Sequence, residues 1–303
     1  MERCSYFIPD KALFGSYPTQ QIVDFLENLG VRIFIDLTNK NESKITPYQT
    51  QYKYINYPIA DRKIPKNWKT FSCLVLKICD LISKLEKGEK VYIHCKGGHG
   101  RSGLLVACIF CYYYNISSDE ALLQTNKCHS TRVDMREKWR RLGSPQGKRQ
   151  KDFVHKFFHP IKFDKPEDYG YTMGFHNLSN HSVEIPNVGV FPNANFAFQY
   201  YRDPENKDYV DSLLKGIFKH ELINQDKDWE KNKTTYMYQI LKYKFSQHQN
   251  IKNNLLNTGL RPILKISRDN FWGTGHNLQG KNMHGNLLVR VRNEFLSEYE
   301  KYN

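Results

Sequence analysis

The first half of the chain predicts an α/β fold, a central mixed or mostly parallel sheet flanked by helices, and the second half a module of different composition. Three observations carry this. Runs rich in β-branched and aromatic residues alternate with segments of helical spacing as far as Tyr114. One such run, Val91-Tyr92-Ile93, passes through a glycine-rich loop straight into an apolar stretch of helical length, Leu104 to Tyr114. All seven cysteines lie between Cys4 and Cys128, and the remainder has none.

Taken in order, Leu13 to Pro18 reads as an extended entry segment. Gln20 to Leu29 places Ile22, Phe25, Leu26 and Leu29 at helical spacing and stops at Gly30. Arg32 to Leu37 and Tyr52 to Tyr57 are strand candidates. Trp68 to Leu85 is a long amphipathic helix ending near Gly88. Val91 to Cys95, the loop and its helix follow, and Ser117-Ser118-Asp119-Glu120 has the form of the next helix N-cap. Strands alternating with helices imply a parallel-type sheet covered on both faces, with ligands received at the carboxyl ends of its strands.

The loop itself is His94-Cys95-Lys96-Gly97-Gly98-His99-Gly100-Arg101-Ser102-Gly103. A loop opening a helix N-terminus presents unpaired backbone N–H groups and the positive end of a dipole, which together receive an anion. That field favours the thiolate of a cysteine held in it. An arginine at the loop's end grips two phosphate oxygens with its planar fork. The same residues spell Gly98-x-Gly100-x-x-Gly103, a nominal dinucleotide fingerprint. That pattern wants an acidic residue closing a second strand, whereas Asp119 and Glu120 sit in a helix cap. A phosphate-binding loop without catalysis is the other competing reading, and the presence of Cys95, Arg101 and Ser102 argues against it.

The Cys-x5-Arg spacing resembles the signature of the cysteine-dependent tyrosine and dual-specificity protein phosphatases. Ile8-Pro9, Phe14-Gly15-Ser16-Tyr17-Pro18, Gly30-Val31, Ile35-Asp36-Leu37-Thr38, Pro58-Ile59-Ala60-Asp61, Ser144-Pro145, Gln150 and Phe153-Val154 extend the resemblance over about residues 5–158. It implies Cys95 as nucleophile, Arg101 and the backbone of Lys96, Gly97, Gly98, His99 and Gly100 as the phosphate cradle, and Ser102 as hydrogen-bond donor to the departing thiolate. His94 would orient the loop. Asp61, in a loop after a strand, matches the general-acid position; Asp36 and Asp80 fall in a strand and a helix and suit that role less well. Lys96 would add positive charge for a highly charged substrate; His99 either contributes similarly or, as is commoner, is an exposed loop histidine. Phosphoprotein is the expected substrate, with phosphoinositides and RNA 5′-triphosphate ends kept as alternatives.

After Phe158-His159-Pro160 the texture changes. Residues 161–169, charged and proline-containing, read as a linker, which divides the chain into domains 1–160 and 161–303. Leu178-Ser179-Asn180, Phe191-Pro192, Trp229, Thr258-Gly259, Asp269, Phe271-Trp272-Gly273 and Gly280-Lys281-Asn282 resemble, as an ordered set, the NADAR family over about 169–295. The resemblance implies a mostly helical α+β domain and an ADP-ribose-like or phosphoribosyl ligand. Asn180, Trp229, Asp269, Trp272, Gly273 and Asn282 are its candidate contacts, the tryptophans for stacking. Two family glutamates are replaced by Asn195 and Lys265. Cleaving an N-glycosidic bond needs a carboxylate, so binding is expected rather than glycosidase activity, with an N-glycosidase acting on an ADP-ribosyl adduct and a wholly non-catalytic phosphate-binding protein as alternatives.

Composition sets the remaining bounds. The 303 residues carry a formal charge of +14, which favours anionic partners. Nucleic acid is not favoured, because no basic stripe interleaved with aromatic residues occurs. An odd number of cysteines, no signal pattern and no membrane-length apolar run together predict a soluble, intracellular, most simply cytoplasmic, protein with reduced thiols. Cys108-x-x-Cys111 reads as helix core and His155-x-x-x-His159 as a solvated helix end. No metal or cofactor is expected.

Overall fold

The computed structural model describes residues 2–167, 170–218 and 226–301. The chain divides into two compact units, Met1–Phe158 and His159–Asn303.

The first unit runs β1 (Cys4–Ile8), β2 (Ala12–Ser16), α1 (Gln20–Asn28), β3 (Val31–Asp36), β4 (Lys53–Asn56), α2 (Trp68–Ser83), β5 (Lys90–Cys95), α3 (Arg101–Tyr113), α4 (Ser118–Ser130), α5 (Glu137–Leu142) and α6 (Lys148–Phe158). Its five strands lie in the order β1-β2-β5-β3-β4. Only the β1–β2 pair is antiparallel; β5 runs parallel to both β2 and β3, and β3 to β4. The expected mostly parallel sheet is therefore present. β5 sits at its centre with every residue buried, which is why its sequence reads as a continuous apolar run rather than an alternating one.

Pairing in register brings Ser16 beside Cys95 and Asp36 beside His94. The chain leaves the sheet at Cys95 and enters α3 at Arg101, so the loop lies at the carboxyl edge of the central strand. Helix α3 shows no polar face because it packs on the sheet and also against α2, α4 and α6; all residues from Arg101 to Cys111 are buried. Cys108 and Cys111 belong to that core, where burial pushes the Cys111 thiol up to about 12. The Ser117 side chain accepts from the Glu120 N–H and caps α4. His155 is not merely solvated: its Nδ1 lies 2.8 Å from Ser118 Oγ.

The second unit contains β6 (Ile161–Phe163), β7 (Val183–Ile185), β8 (Gly189–Phe191), α7 (Ala194–Tyr200), α8 (Lys207–Leu214), α9 (Trp229–Gln247), α10 (Gln249–Asn257), β9 (Ile263–Lys265) and α11 (Met283–Lys301). It is mostly helical, with two small two-stranded sheets, β6–β9 parallel and β7–β8 antiparallel. The linker expectation for 161–169 is corrected here. Ile161 and Phe163 are buried and Lys162 is exposed, a period-2 pattern that pairs with β9. Residues 168 and 169 lie outside the described residues. One core gathers Val183, Ile185, Phe191, Ala194, Ala197, Tyr209, Leu213 and Ile240. Among the described residues, no helix is long and apolar enough to cross a membrane.

Candidate active site

The loop between β5 and α3 is shaped by what its carbonyls do. Lys96 O accepts from the Tyr17 N–H at 3.2 Å. Gly98 O accepts from Arg132 Nη1 at 2.8 Å, and His99 O from Ser144 Oγ at 2.7 Å. These three carbonyls are tied back to the surrounding protein. In a trans peptide the N–H points opposite its C=O, so the amides of Gly97, His99 and Gly100 turn toward the loop's interior. Gly98 is held at φ 74°, and a Cβ there would lie 2.4 Å from the Gly15 carbonyl carbon. The loop thus closes directly on the β2 backbone, and only glycine permits it.

Cys95 is 2% exposed at the base of this bowl. Its Sγ lies 3.6 Å from Ser102 Oγ, within reach of the hydrogen bond expected there. A cavity of about 270 Å³ is lined by Cys95, Arg101 and Asp61, together with Lys96, Trp139 and Gln150. Gln150 Nε2 donates to Lys63 O at 3.1 Å, which ties the Asp61 loop to α6. The rival aspartates are occupied elsewhere. Asp36 accepts from the Thr38 N–H and hydroxyl and from Tyr54, and Asp80 pairs with Lys84 on an exposed helix face.

Arg101 is 2% exposed, and its donors can be accounted for one by one. Nη1 and Nη2 each donate to one oxygen of Glu42, both at 2.7 Å. The second Nη1 hydrogen goes to Ile59 O at 3.0 Å and the second Nη2 hydrogen to Asp61 Oδ1 at 3.1 Å. Glu42 thus grips the guanidinium end-on, and on the side face formed by Nε and Nη2 the Nη2 hydrogen is given to Asp61. The Arg101 hydrogen bonds hold the Glu42 carboxyl below the usual carboxylate range. Sequence reasoning missed Glu42. It sits in the aperiodic segment after β3, 59 residues from its partner.

The histidines differ in their surroundings. His94 is fully buried; Tyr48 OH lies 2.7 Å from its Nε2, and burial lowers its pKa to about 4. It stays neutral and props the base of the loop, with Tyr92 stacked against it. The structure corrects both readings of His99, the exposed loop histidine and the additional cation: the side chain is half-buried. Burial, with Arg132 nearby, lowers its pKa to about 4. Its Nδ1 lies 2.8 Å from His129 Nε2, and its ring stacks on Trp139. Fixed positive charge near the loop comes from Lys96 and from Arg132, which sequence reasoning also missed. Arg132 is 3% exposed and donates to Ser5 Oγ, Gly98 O and Phe14 O.

In the second unit, Trp229 and Trp272 converge on Phe198, at 4.8 and 5.6 Å between ring centroids. Asp269 Oδ1 accepts from the Phe271 and Trp272 N–H groups, a turn that sets the Trp272 ring. Gly273 lies against Ser267, where a Cβ would sit 2.0 Å from the hydroxyl. Asn282 is held to backbone: Nδ2 donates to Ile263 O and Oδ1 accepts from the Lys265 N–H, joining β9 to the start of α11. Asn180 is exposed in a loop. At the two replaced glutamate positions, Lys265 Nζ donates to Asn177 Oδ1 at 3.3 Å and Asn177 Nδ2 to Asn195 Oδ1 at 3.1 Å. A neutral amide chain ending in an ammonium occupies that place.

Comparison with known proteins agrees with this division. The catalytic domain of dual specificity phosphatases matches residues 13–142, and the NADAR domain matches residues 170–296. The tyrosine-phosphatase-type protein 197R of Invertebrate iridescent virus 6 is 31% identical over 322 residues, covering 98% of this chain and 97% of that protein. The corresponding protein 067L of Invertebrate iridescent virus 3 is 41% identical over 160 residues, 52% of this chain and 66% of its own length. The N-glycosidase YbiA of Shigella boydii is 36% identical over 73 residues, covering 24% of this chain and 46% of that protein. The chain belongs to the tyrosine and dual-specificity phosphatase family, in the form that carries a NADAR domain after the catalytic one.

Proposed function

We propose that the first unit hydrolyses phosphate monoesters on protein tyrosine, serine or threonine through a phosphocysteine intermediate. The Cys95 sulfur attacks phosphorus in line, while Arg101 and the inward amides hold the non-bridging oxygens. The phosphorus–oxygen ester bond breaks, and Asp61 gives its proton to the departing oxygen. Water, deprotonated by Asp61, then attacks phosphorus. The phosphorus–sulfur bond breaks and Ser102 donates to the leaving thiolate. The observation that carries this reading is that Cys95, Arg101 and Asp61 line one cavity, with Ser102 beside the sulfur. Hydrolysis of a simple aryl phosphate tests it: turnover should vanish in Cys95→Ser, and turnover surviving that change refutes the mechanism.

For the second unit our reading is recognition of an ADP-ribose-like anion without glycosidic cleavage. The half-buried Trp272 ring and the Lys265 ammonium support binding, and the Asn195 amide and the Lys265 ammonium at the two glutamate positions place no carboxylate there to stabilise an oxocarbenium-like centre. Calorimetric titration of the full chain with ADP-ribose should show binding that Lys265→Ala weakens. Release of nicotinamide or free base from a nucleotide would overturn it. Seven cysteines with no disulfide among them support the reducing, intracellular setting.

A further inference from the structure

We propose that Lys265 captures a phosphorylated sugar at its free anomeric carbon, joining the open-chain aldehyde to its Nζ as an imine. This deepens the binding reading of the second unit and rests on it. Lys265 ends β9, and both of its backbone groups are held. Its N–H donates to Asn282 Oδ1 at 2.9 Å, and its carbonyl accepts from the Thr274 N–H at 3.0 Å. The side chain therefore leaves a fixed mount. Its Nζ donates to Asn177 Oδ1 at a long 3.3 Å. Asp269 acts on it through space, with Oδ1 already accepting from the Phe271 and Trp272 N–H groups. A Cβ on Gly273 would lie 3.1 Å from Lys265 O, so the Trp272-Gly273 turn packs directly on this strand end. The amine thus stands beside a half-buried indole that can stack on a base and beside the Asn177 and Asn195 amides, which match sugar hydroxyls. Lys281 Nζ, 5.5 Å from the centroid of the Phe271 ring that packs on Trp272, adds positive charge for phosphate.

Attack on a carbonyl needs the neutral amine. Burial holds the Lys265 ammonium below the usual lysine range, which raises the share of free amine near neutral pH. Lys244 is lowered further, to about 7, but it is 0% exposed and its Nζ donates to His176 O and Ser179 Oγ. An incoming aldehyde cannot reach it, whereas half-buried Lys265 is accessible. His284, within electrostatic reach of both lysines, is buried and neutral, its Nε2 donating to Phe175 O at 2.9 Å. The amine lone pair adds to the aldehyde carbon, the carbonyl π pair moves to oxygen, and a nitrogen proton follows it to give a carbinolamine. Loss of that hydroxyl as water leaves the C=N bond, so amine and aldehyde become imine and water with no oxidant or reductant. The distal ribose of ADP-ribose has a free anomeric carbon, so no glycosidic bond breaks.

The test incubates the full chain with ADP-ribose, adds cyanoborohydride to reduce any imine to a stable secondary amine, and reads intact mass and peptide maps. A single adduct at Lys265 is expected. Its labelling should exceed that of any other lysine by at least about tenfold, a small part of the advantage that holding two reactants together supplies. Lys265→Arg should abolish that adduct, and the map of the unaltered chain is decisive should the variant not fold. Labelling spread over surface lysines, an adduct at another residue, a level unchanged in Lys265→Arg, or no adduct from a chain that binds ADP-ribose by calorimetry would overturn the proposal. Absence of calorimetric binding would instead refute the ADP-ribose reading of this unit. In that event ribose 5-phosphate, which carries the same aldehyde and a phosphate without the nucleotide, still decides the imine: a dominant adduct at Lys265 supports it, and uniform labelling or none refutes it.

Discussion

Replacing Glu42 by glutamine removes the charge from the end-on grip on Arg101 while keeping the side chain's shape. The pair is well shielded, with side-chain exposures of 2% for Arg101 and 9% for Glu42. Breaking a buried ion pair typically costs about 3–5 kcal/mol. The Glu42→Gln side chain would keep one acceptor oxygen and point its amide at an Nη donor, and the bonds to Ile59 and Asp61 survive, so we expect about 2–3 kcal/mol. For a unit of this size that lowers the melting temperature by roughly 5–10 °C. The guanidinium also loses the contact that aims its Nε and Nη2 hydrogens at phosphate, so aryl phosphate kcat/KM should fall by about 10- to 100-fold. Glu42→Asp, with a shorter reach, should be intermediate. Calorimetric melting and steady-state kinetics measure both quantities. An unchanged melt, or a faster enzyme, would refute the assignment, the latter by showing that the carboxylate occludes the site.

Further predictions concern the loop, the acid and pH. Gly98→Ala forces a Cβ to 2.4 Å from the Gly15 carbonyl carbon at φ 74°, so it should destabilise by at least ~2 kcal/mol and disable turnover; Gly97→Ala, whose nearest contact is His99 at 3.2 Å, should be much milder, and equal effects would contradict the packing. Asp61→Asn should slow alkyl phosphates far more than activated aryl phosphates, because good leaving groups need less protonation; equal slowing would remove Asp61 from the proton-transfer role. His94 is buried neutral with its pKa lowered to about 4 from 6.5. Its unfolded form therefore binds more protons between those values, and stability present above 6.5 is lost as pH falls toward 4, by roughly 3 kcal/mol in total. Melting across that range should show the loss, and His94→Asn should flatten the curve.

Much of the catalytic unit was legible because its elements announce themselves locally. The β5 run, the glycine loop and the apolar α3 are contiguous in sequence, and a strand–loop–helix order places a nucleophile at a strand end without further information. What was not legible depends on contacts between distant segments. Glu42 has no periodic context, and Arg132 reads as one cation among many until the fold brings it under Gly98. His99 looked like an exposed loop cation because nothing in its neighbourhood foretold His129 and Trp139, 30 and 40 residues away. Ile161-Lys162-Phe163 carried a strand's alternation, but three residues beside prolines and charges were too few to outweigh a linker reading. Only pairing with Ile263–Lys265 made them a strand.

The donor accounting at Arg101 also gives turnover an order. With Glu42 and Ile59 holding three of the four Nη hydrogens, a phosphate approaching the side face would take the Nε hydrogen and the Nη2 hydrogen now given to Asp61. In the proposed mechanism, substrate binding thus releases Asp61 from the clamp as its carboxyl is needed at the leaving oxygen. Asp61 can make that exchange because its side chain is 56% exposed on a loop, whereas Glu42 is enclosed and remains in place. In that mechanism one carboxylate anchors the guanidinium and the other exchanges with substrate, and their different burial, 9% against 56% exposed, is the basis for dividing the two roles.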